Sequence, residues 1–496
     1  MTFHRRLKAL FVIIFLSLLA ACGGGGGGGG SGDGVGVGGG GGAVGGTPGV
    51  VAPKLVSIQV TPAAPTEAIG FSRQFTATGT FDSGPTQDVT TSASWASSTA
   101  EADIGINTGL AKAVAVGTPS ITATLDSIAS NAVTFTVTPV TQWTAAEPMA
   151  DVRSSHTATT LPDGTVLMAG GEVVVDVSIP PTRTATSEIY NVTTGLFTPG
   201  GALDTGRSSH TATLLVNDTV LVVGGVDNGG SALSSSEIYT PVTNAWTAAL
   251  PMNTPRTLHT ATLLKDGRVL VTGGVTLGAP TDTAEIYDPA GNAGAGTWTA
   301  TATPMSIGRE SHTATLLASG KVLVIGGEGV AGKLASVEIY DPTANTWTSP
   351  SGALTSLTTA RRAHLATELA DGKILVTGGM DNSGGPGAPG APITESELYD
   401  PTEGTFGPAA ALATGRSSHS ATLLPSSGRV LVTGGFNGAE TSEVYDPATN
   451  LWVPTGVLAN PRAAHTATLL STGRILVTGG LVQGGPVVSF KASELY

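Results

Sequence analysis

Residues 256–298 read RTLHTATLLKDGRVLVTGGVTLGAPTDTAEIYDPAGNAGAGTW. In order they give an Arg, two residues, a His, an Ala-Thr step, a short turn, an aliphatic run, a Gly-Gly doublet, a variable stretch, Glu-Ile-Tyr and a Trp. The same order occurs seven times, at Arg153/His156, Arg207/His210, Arg256/His259, Arg309/His312, Arg361/His364, Arg416/His419 and Arg462/His465, with successive His residues 46 to 55 positions apart. A period near fifty signals a propeller or another repeat array, because one such unit cannot bury its own faces. Short aliphatic runs such as Val269 to Val271 and Ile374 to Val376, bounded by Asp-Gly and Gly-Gly, read as strands without helical periodicity. Each repeat is therefore expected to be one β-sheet.

The pattern resembles the Kelch repeat, marked by a Gly-Gly doublet after the second strand, a Tyr in the third and a Trp in the fourth. The doublets are Gly170/Gly171, Gly224/Gly225, Gly273/Gly274, Gly326/Gly327, Gly378/Gly379, Gly434/Gly435 and Gly479/Gly480; the Tyr residues are Tyr190, Tyr239, Tyr287, Tyr340, Tyr399, Tyr445 and Tyr496. Only six aromatics follow the third strands: Phe197, Trp246, Trp298, Trp347, Phe406 and Trp452. The seventh is Trp143, ahead of the first repeat. An open ring would leave an unpaired edge, so the segment around Trp143 is expected to supply the outer strand of the last blade. The fold class expected is all-β, a seven-bladed Kelch-type propeller over residues 142–496 preceded by an Ig-like β-sandwich.

Residues 1–22 read as an export signal: Arg5, Arg6 and Lys8, then an apolar run from Leu10 to Leu19, then Leu19-Ala20-Ala21-Cys22. The apolar run is too short for a permanent span. The tetrapeptide resembles the bacterial lipobox, which implies acylation at Cys22, the one cysteine in the chain. Gly23 stands where an aspartate would resemble an inner-membrane retention signal, so an outer-membrane or surface location in a bacterial envelope is expected. Residues 23–49 are almost all Gly and read as a flexible tether with a reach of roughly 30 Å.

Residues 54–139 alternate as strands do: Val56/Ile58/Val60, Phe75/Ala77, Ile121/Ala123/Leu125 and Val133/Phe135/Val137, with Trp95 between. The run from Leu55 to Pro62, the stretch Gln74 to Thr80, Asp88-Val89-Thr90 and Ile121 to Thr124 resemble the bacterial Ig-like domain of group 2, which implies a spacer or adhesive stalk.

The chain has 23 basic and 36 acidic residues; without Arg5, Arg6 and Lys8 the basic count falls to 20, a net charge of about −16. Nucleic acid requires a basic footprint and is excluded as a partner. Contact with an anionic membrane is confined to the lipid anchor. The protein is expected to be a monomer.

Chemistry-bearing residues are mostly spoken for. Of eight His residues, seven are repeat positions and His4 lies in the signal; all seven Tyr are repeat positions. A catalytic centre needs an asymmetric cluster, and no His or Tyr is left over to form one. Kelch propellers include copper radical oxidases resembling galactose oxidase, which join a Cys to a Tyr beside the metal; with Cys22 at the anchor no cysteine remains for that link. No catalytic residue, metal site or cofactor is expected. Each His is expected to hydrogen-bond a neighbouring strand. Each Arg is matched by one Glu before the Tyr, at Glu188, Glu237, Glu285, Glu338, Glu397, Glu443 and Glu494, which predicts a framework of charge-assisted bonds.

What varies is the stretch from Gly-Gly to that Glu: 16, 11, 10, 10, 17, 7 and 13 residues in repeat order. Unequal loops on a rigid ring are where binding specificity tends to reside. They carry Glu172, Asp176, Asp227, Asn228, Asp282, Glu328, Asp381, Asn382, Glu395, Asn437 and Glu440 against Arg183, Lys333 and Lys491. An acidic binding face is expected, with Glu172, Asp227, Asn228, Glu328, Asp381, Asn382 and Asn437 as the ligand-contacting candidates for a protein or glycan. The rival reading is a carbohydrate-active enzyme with a carboxylate pair about 5 to 10 Å apart on that face.

Overall fold

The repeat dictates the architecture through its hydrogen-bond needs. Four short strands per repeat pair antiparallel as one sheet, and among the described residues there are seven such four-stranded sheets and no α-helix. The computed structural model describes residues 53–175, 179–352, 355–383, 385, 390–438, 440–482 and 488–496. Cys22, the signal, the tether and Asp176 lie outside them. In blade 3 the order is Thr260–Leu263, Val269–Thr272, Ala284–Asp288 and Thr297–Ala300, from axis to rim. The second strands (Val166–Ala169, Val220–Val223, Val269–Thr272 and their equivalents) are buried along their whole length, because both sheet faces meet a neighbouring blade.

The ring closes as the displaced aromatic requires. Thr144–Ala146 pairs antiparallel with Ser493–Leu495 as the outer strand of blade 7, whose other strands are Ile475–Thr478 and Thr466–Leu469. Trp143 packs on Tyr496 with ring centroids 5.1 Å apart, matching Tyr239/Trp246 and Tyr287/Trp298. A second closure lies at the axis. Ser155, Ser209, Leu258, Ser311, Ala363, Ser418 and Ala464 each donate a backbone N–H to the carbonyl of the residue before it in this cycle, with Ser155 donating to Ala464, at 2.9 to 3.3 Å. All seven adopt φ between 49° and 55°, a left-handed conformation unusual for Ser, Ala and Leu. The cycle of hydrogen bonds offsets that strain.

Why the doublet must be Gly-Gly follows from Gly170 and Gly171. A Cβ at Gly170 would stand 2.6 Å from the Arg207 carbonyl and 2.8 Å from the His210 ring, both in blade 2. At Gly171 it would meet the Ser154 carbonyl and His156 of its own blade at 2.9 Å, and φ is +104°. The first glycine admits the next blade and the second admits the entry segment of its own.

The Ig-like domain holds a single core around Phe75, Trp95, Phe135, Ile121 and Ala123. Phe75 lies 5.7 Å from Phe135, edge to face, and Trp95 Nε1 donates to the Thr90 carbonyl. Its first strand departs from simple alternation. A bulge between Leu55 and Ser57 places Leu55, Ile58 and Val60 inward and leaves Val56 55% exposed, so the expected Val56/Ile58/Val60 face is corrected at its first member.

Lys54–Tyr496 form one compact unit, so the sandwich is docked on the ring. Phe71 is buried with Leu431, Val444, Ile475 and Val477 of blades 6 and 7. Arg429 lies over the Phe71 ring at 4.1 Å, and it pairs with Glu67 at 2.7 Å and Asp446 at 2.9 Å. Arg429 opens the second strand of blade 6 and Asp446 ends the third. Both therefore sit at the tight-turn end. The sandwich meets the ring at that end of blades 6 and 7, the end opposite the Gly-Gly loops.

Candidate functional site

The repeat Arg, Glu and His come first, because their placement decides what chemistry is available. Arg256 is fully buried; its Nη2 contacts Glu285 Oε1 at 2.9 Å and its Nη1 donates to the Gly273 and Thr283 carbonyls at 2.8 and 3.0 Å. All seven Arg–Glu pairs form, at 2.6 to 2.9 Å. Each Glu has a further task that the sequence did not reveal. Glu285 accepts the backbone N–H groups of Asn253 and Thr254, at 2.7 and 3.0 Å, and so fixes the segment that leads into Arg256. Five of the other six do the same for their own entry segments, as Glu494 does for Ala459 and Asn460, and Glu397 accepts from Thr358.

Each His spans two blades. His210 Nε2 lies 3.1 Å from Thr157 Oγ1, His259 lies 3.0 Å from Thr211 Oγ1 and His465 lies 3.0 Å from Ser420 Oγ, each on the preceding blade's inner strand, while His419 reaches Thr377 on the second strand of blade 5. His156 reaches Thr466 and Thr478 and completes the circle. Burial, reinforced by the adjacent Arg, pushes His210, His259, His364 and His465 down to about 3, so they stay neutral.

A copper centre is a poor fit to these donors. The Tyr rings pack on the outer aromatics at 4.9 to 5.2 Å, burial pushes Tyr340 up to about 12, and its hydroxyl is bonded to Asn345. Among the described residues no three His, Cys, Asp or Glu converge as a metal site.

On the loop face the candidates resolve into two clasps and three separate positions. In blade 1 Glu172 faces Arg183 across a two-residue ladder, Oε2 to Nε 3.9 Å, and burial raises its carboxyl pKa. Asn228 of blade 2 grips Arg183 by its backbone, accepting from N at 2.6 Å and donating to O at 3.1 Å. Blade 4 repeats this. Glu328 faces Lys333, and Asn382 of blade 5 accepts from Lys333 N at 2.9 Å and donates to its O at 3.2 Å. Asp227 and Asp381 each hold their own loop, Asp227 through Gly229 and Ser231, Asp381 through Ser383 and Ala391. Asn437 donates to the Gly415 carbonyl in blade 6.

Glu310 and Arg362 escaped the sequence reading. Arg362 Nη1 lies 3.1 Å from Glu310 Oε1 and 2.5 Å from Glu328 Oε2, so two buried carboxylates share one guanidinium between blades 4 and 5. The signal was available. The residue after the repeat Arg is Ser154, Ser208, Thr257, Ser417 or Ala463 elsewhere, and is charged only at Glu310 and Arg362. The expected acidic character of this face is thus locally neutralised.

Comparison with known proteins agrees with this architecture. Residues 155–379 match the KLHDC2/KLHL20/DRC7 Kelch-repeats domain, and residues 55–137 match the bacterial Ig-like domain (group 2). A fungal alcohol oxidase of the AA5 family, solved in complex with copper, superposes with a TM-score of 0.56 at 19% identity over 72% of this chain and 76% of that one, a likeness of fold. Ice-binding protein 1 of Shewanella frigidimarina (strain NCIMB 400) is 42% identical over 84 residues, 17% of this chain and 9% of that protein's length. The chain carries a Kelch-repeat domain and a bacterial Ig-like domain.

Proposed function

We propose that this is a bacterial surface lipoprotein, anchored through Cys22, whose propeller binds a protein or glycan ligand with its Gly-Gly loop face and serves adhesion or scaffolding. One observation carries the reading: Arg, His, Glu and Tyr of every repeat are used within the ring, while the residues that differ between repeats gather on the face opposite the Ig-like domain. The sandwich fits the role of a spacer that fixes the ring with that face outward. The Glu172/Arg183/Asn228 and Glu328/Lys333/Asn382 clasps hold neighbouring loops in fixed relation, which lowers the ordering cost of binding.

A carbohydrate-active enzyme remains the reading from another class, and Glu310 with Glu328 is the pair that would serve it. Both carboxylates contact Arg362, which favours an ion-pair role over acid–base work. The test uses the soluble Cys22→Ser chain on a glycan array and on bacterial cells. Binding to either supports the proposal; binding to neither, or glycan hydrolysis that Glu328→Gln abolishes, contradicts it.

A further inference from the structure

One seam of the loop face departs from the polarity of the repeat. The residue two before the repeat Arg is Asp151, Thr205, Thr254, Thr359, Thr414 or Asn460 in six blades and Ile307 in blade 4. The Ile307 backbone N–H donates to Glu338, as its counterparts in blades 1, 2, 3, 6 and 7 do to their own Glu. The ring therefore makes no demand for an apolar side chain there, yet Ile307 is 39% exposed. The hairpins of blades 3 and 4 meet the same seam, and each ends in an exposed aliphatic residue. Leu277, 97% exposed, joins Val275–Thr276 to Ala279–Pro280, and Val330, 84% exposed, joins Glu328–Gly329 to Gly332–Lys333. Leu277 has φ of 49° in a two-residue turn with Gly278, where Asn or Asp is the favoured residue.

Between these hairpins lies a cleft of about 530 Å³, lined by Pro280, Ile307, Gly308, Val330 and Leu334, with Asp282 on its wall. The volume falls within the roughly 300–1,000 Å³ of ligand pockets, and an apolar lining with one charged group has their usual character. Its lining holds no Lys or Arg and none of the seven axial residues, so the cleft is separate from the mouth of the ring. Among the described residues the Asp282 carboxylate has no hydrogen-bond or ion-pair partner, whereas Glu328 nearby is held by Lys333 and Arg362.

We propose that the cleft between blades 3 and 4 receives a protein partner through a large apolar side chain that lies next to a lysine or arginine. The apolar side chain packs on Ile307, Pro280 and Leu334 between the two exposed tips, and the cation meets Asp282. This rests on the reading of the loop face as the binding face and narrows its ligand to a protein. A glycan fits poorly, because hydroxyls buried against this lining would lose water without gaining partners. Charge complementarity selects the same partner: an acidic chain with an unpaired carboxylate in the cleft attracts a basic segment and repels both an anionic lipid surface and a second copy of itself.

The experiment selects a displayed library of random dodecapeptides on the soluble Cys22→Ser chain and titrates the enriched peptides into that chain and its variants by calorimetry. Ile307→Thr installs the residue that blades 2, 3, 5 and 6 carry at this position; Val330→Thr, at an exposed tip, serves if the first variant does not fold. Enriched peptides should carry a large apolar residue beside Lys or Arg. Ile307→Thr should weaken them about tenfold and Asp282→Asn about threefold, the latter most at low salt. No enrichment, enrichment of acidic or wholly polar peptides, or undiminished binding in the folded variants overturns the proposal. So does binding to phosphatidylglycerol vesicles, or self-association in sedimentation, that Ile307→Thr abolishes, since either gives the cleft another occupant. Peptides that ignore the cleft but are lost when the long loops are shortened overturn this inference alone; peptides lost only in an Asp163 and Asp266 turn variant overturn the loop-face reading with it.

Discussion

Arg256 is buried with Glu285 as its only carboxylate partner, so Arg256→Met leaves an uncompensated buried charge. The expected cost is about 3–5 kcal/mol, read as a fall in the denaturant midpoint, and Arg256→Lys should recover little because the fork that also serves Gly273 and Thr283 is lost. A gain is expected at Ala464, whose φ is +51°: Ala464→Gly should stabilise by about 1 kcal/mol by removing left-handed strain, and a loss of stability would show that the axial ring is not strained. The His residues predict acid lability. For His210, His259, His364 and His465 the folded pKa of about 3 lies below the unfolded value of about 6.5, so their contribution to stability is complete above pH 6.5 and falls as pH drops from there toward 3. Burial lowers His156, His312 and His419 as well, so all seven act in the same direction. The thermal midpoint followed by circular dichroism should fall as pH drops from about 6.5 to 4.5, and a midpoint unchanged over that range would contradict the lowered His pKa. At this scale the Arg–Glu framework was legible, because equal counts at fixed offsets invite pairing. The cap that each Glu places on its entry segment was not, since backbone N–H groups leave no mark in a sequence. Glu310 and Arg362 were hidden by reading the repeat for its constants.

The Thr144–Ala146 strand pairs with Ser493–Leu495 and gives blade 7 its outer edge. A chain beginning after Met149 keeps all seven repeats and loses that strand, exposing the edge of Ser493–Leu495. Its melting temperature should fall or the protein should aggregate; an unchanged melting curve would mean that closure rests on the axial hydrogen bonds alone. The docked sandwich makes a parallel prediction. Arg429→Met removes the cation shared by Glu67 and Asp446, and calorimetry should then resolve one transition for the Ig-like domain and another for the ring. A single unaltered transition would contradict a stabilising interface. Counting six aromatics for seven repeats made the closing strand legible. The bulge at Val56 was not, because one inserted residue preserves the alternation on which the reading depended. Arg429 was equally opaque, since a charge that pairs across domains looks in sequence like a solvated one.

At the scale of the whole molecule, the Ig-like domain and the unequal loops lie at opposite ends of the blades. The Ig-like domain meets the tight-turn end of blade 6, and the loops of 16 and 17 residues after Gly171 and Gly379 stand at the opposite end of their blades. Fold and face were legible from the repeat, because uniform turns and unequal loops must fall at opposite ends of an up-and-down sheet. The clasps that tie one blade's loop to the next were not, since they use Asn side chains and backbone atoms at distances the sequence leaves open. Long loops contribute little closure entropy, roughly 0.6 kcal/mol per doubling, so shortening them separates binding from folding. The decisive measurement compares cell and glycan-array binding by three soluble forms: the Cys22→Ser chain, the same chain shortened within Val173 to Ser187 and Asp381 to Ser396, and the same chain altered at the Asp163 and Asp266 turns. The shortened form should lose binding with its melting temperature unchanged, while the turn variant binds as the parent does; a shortened form that still binds beside a turn variant that does not would place the working face on the other side of the ring.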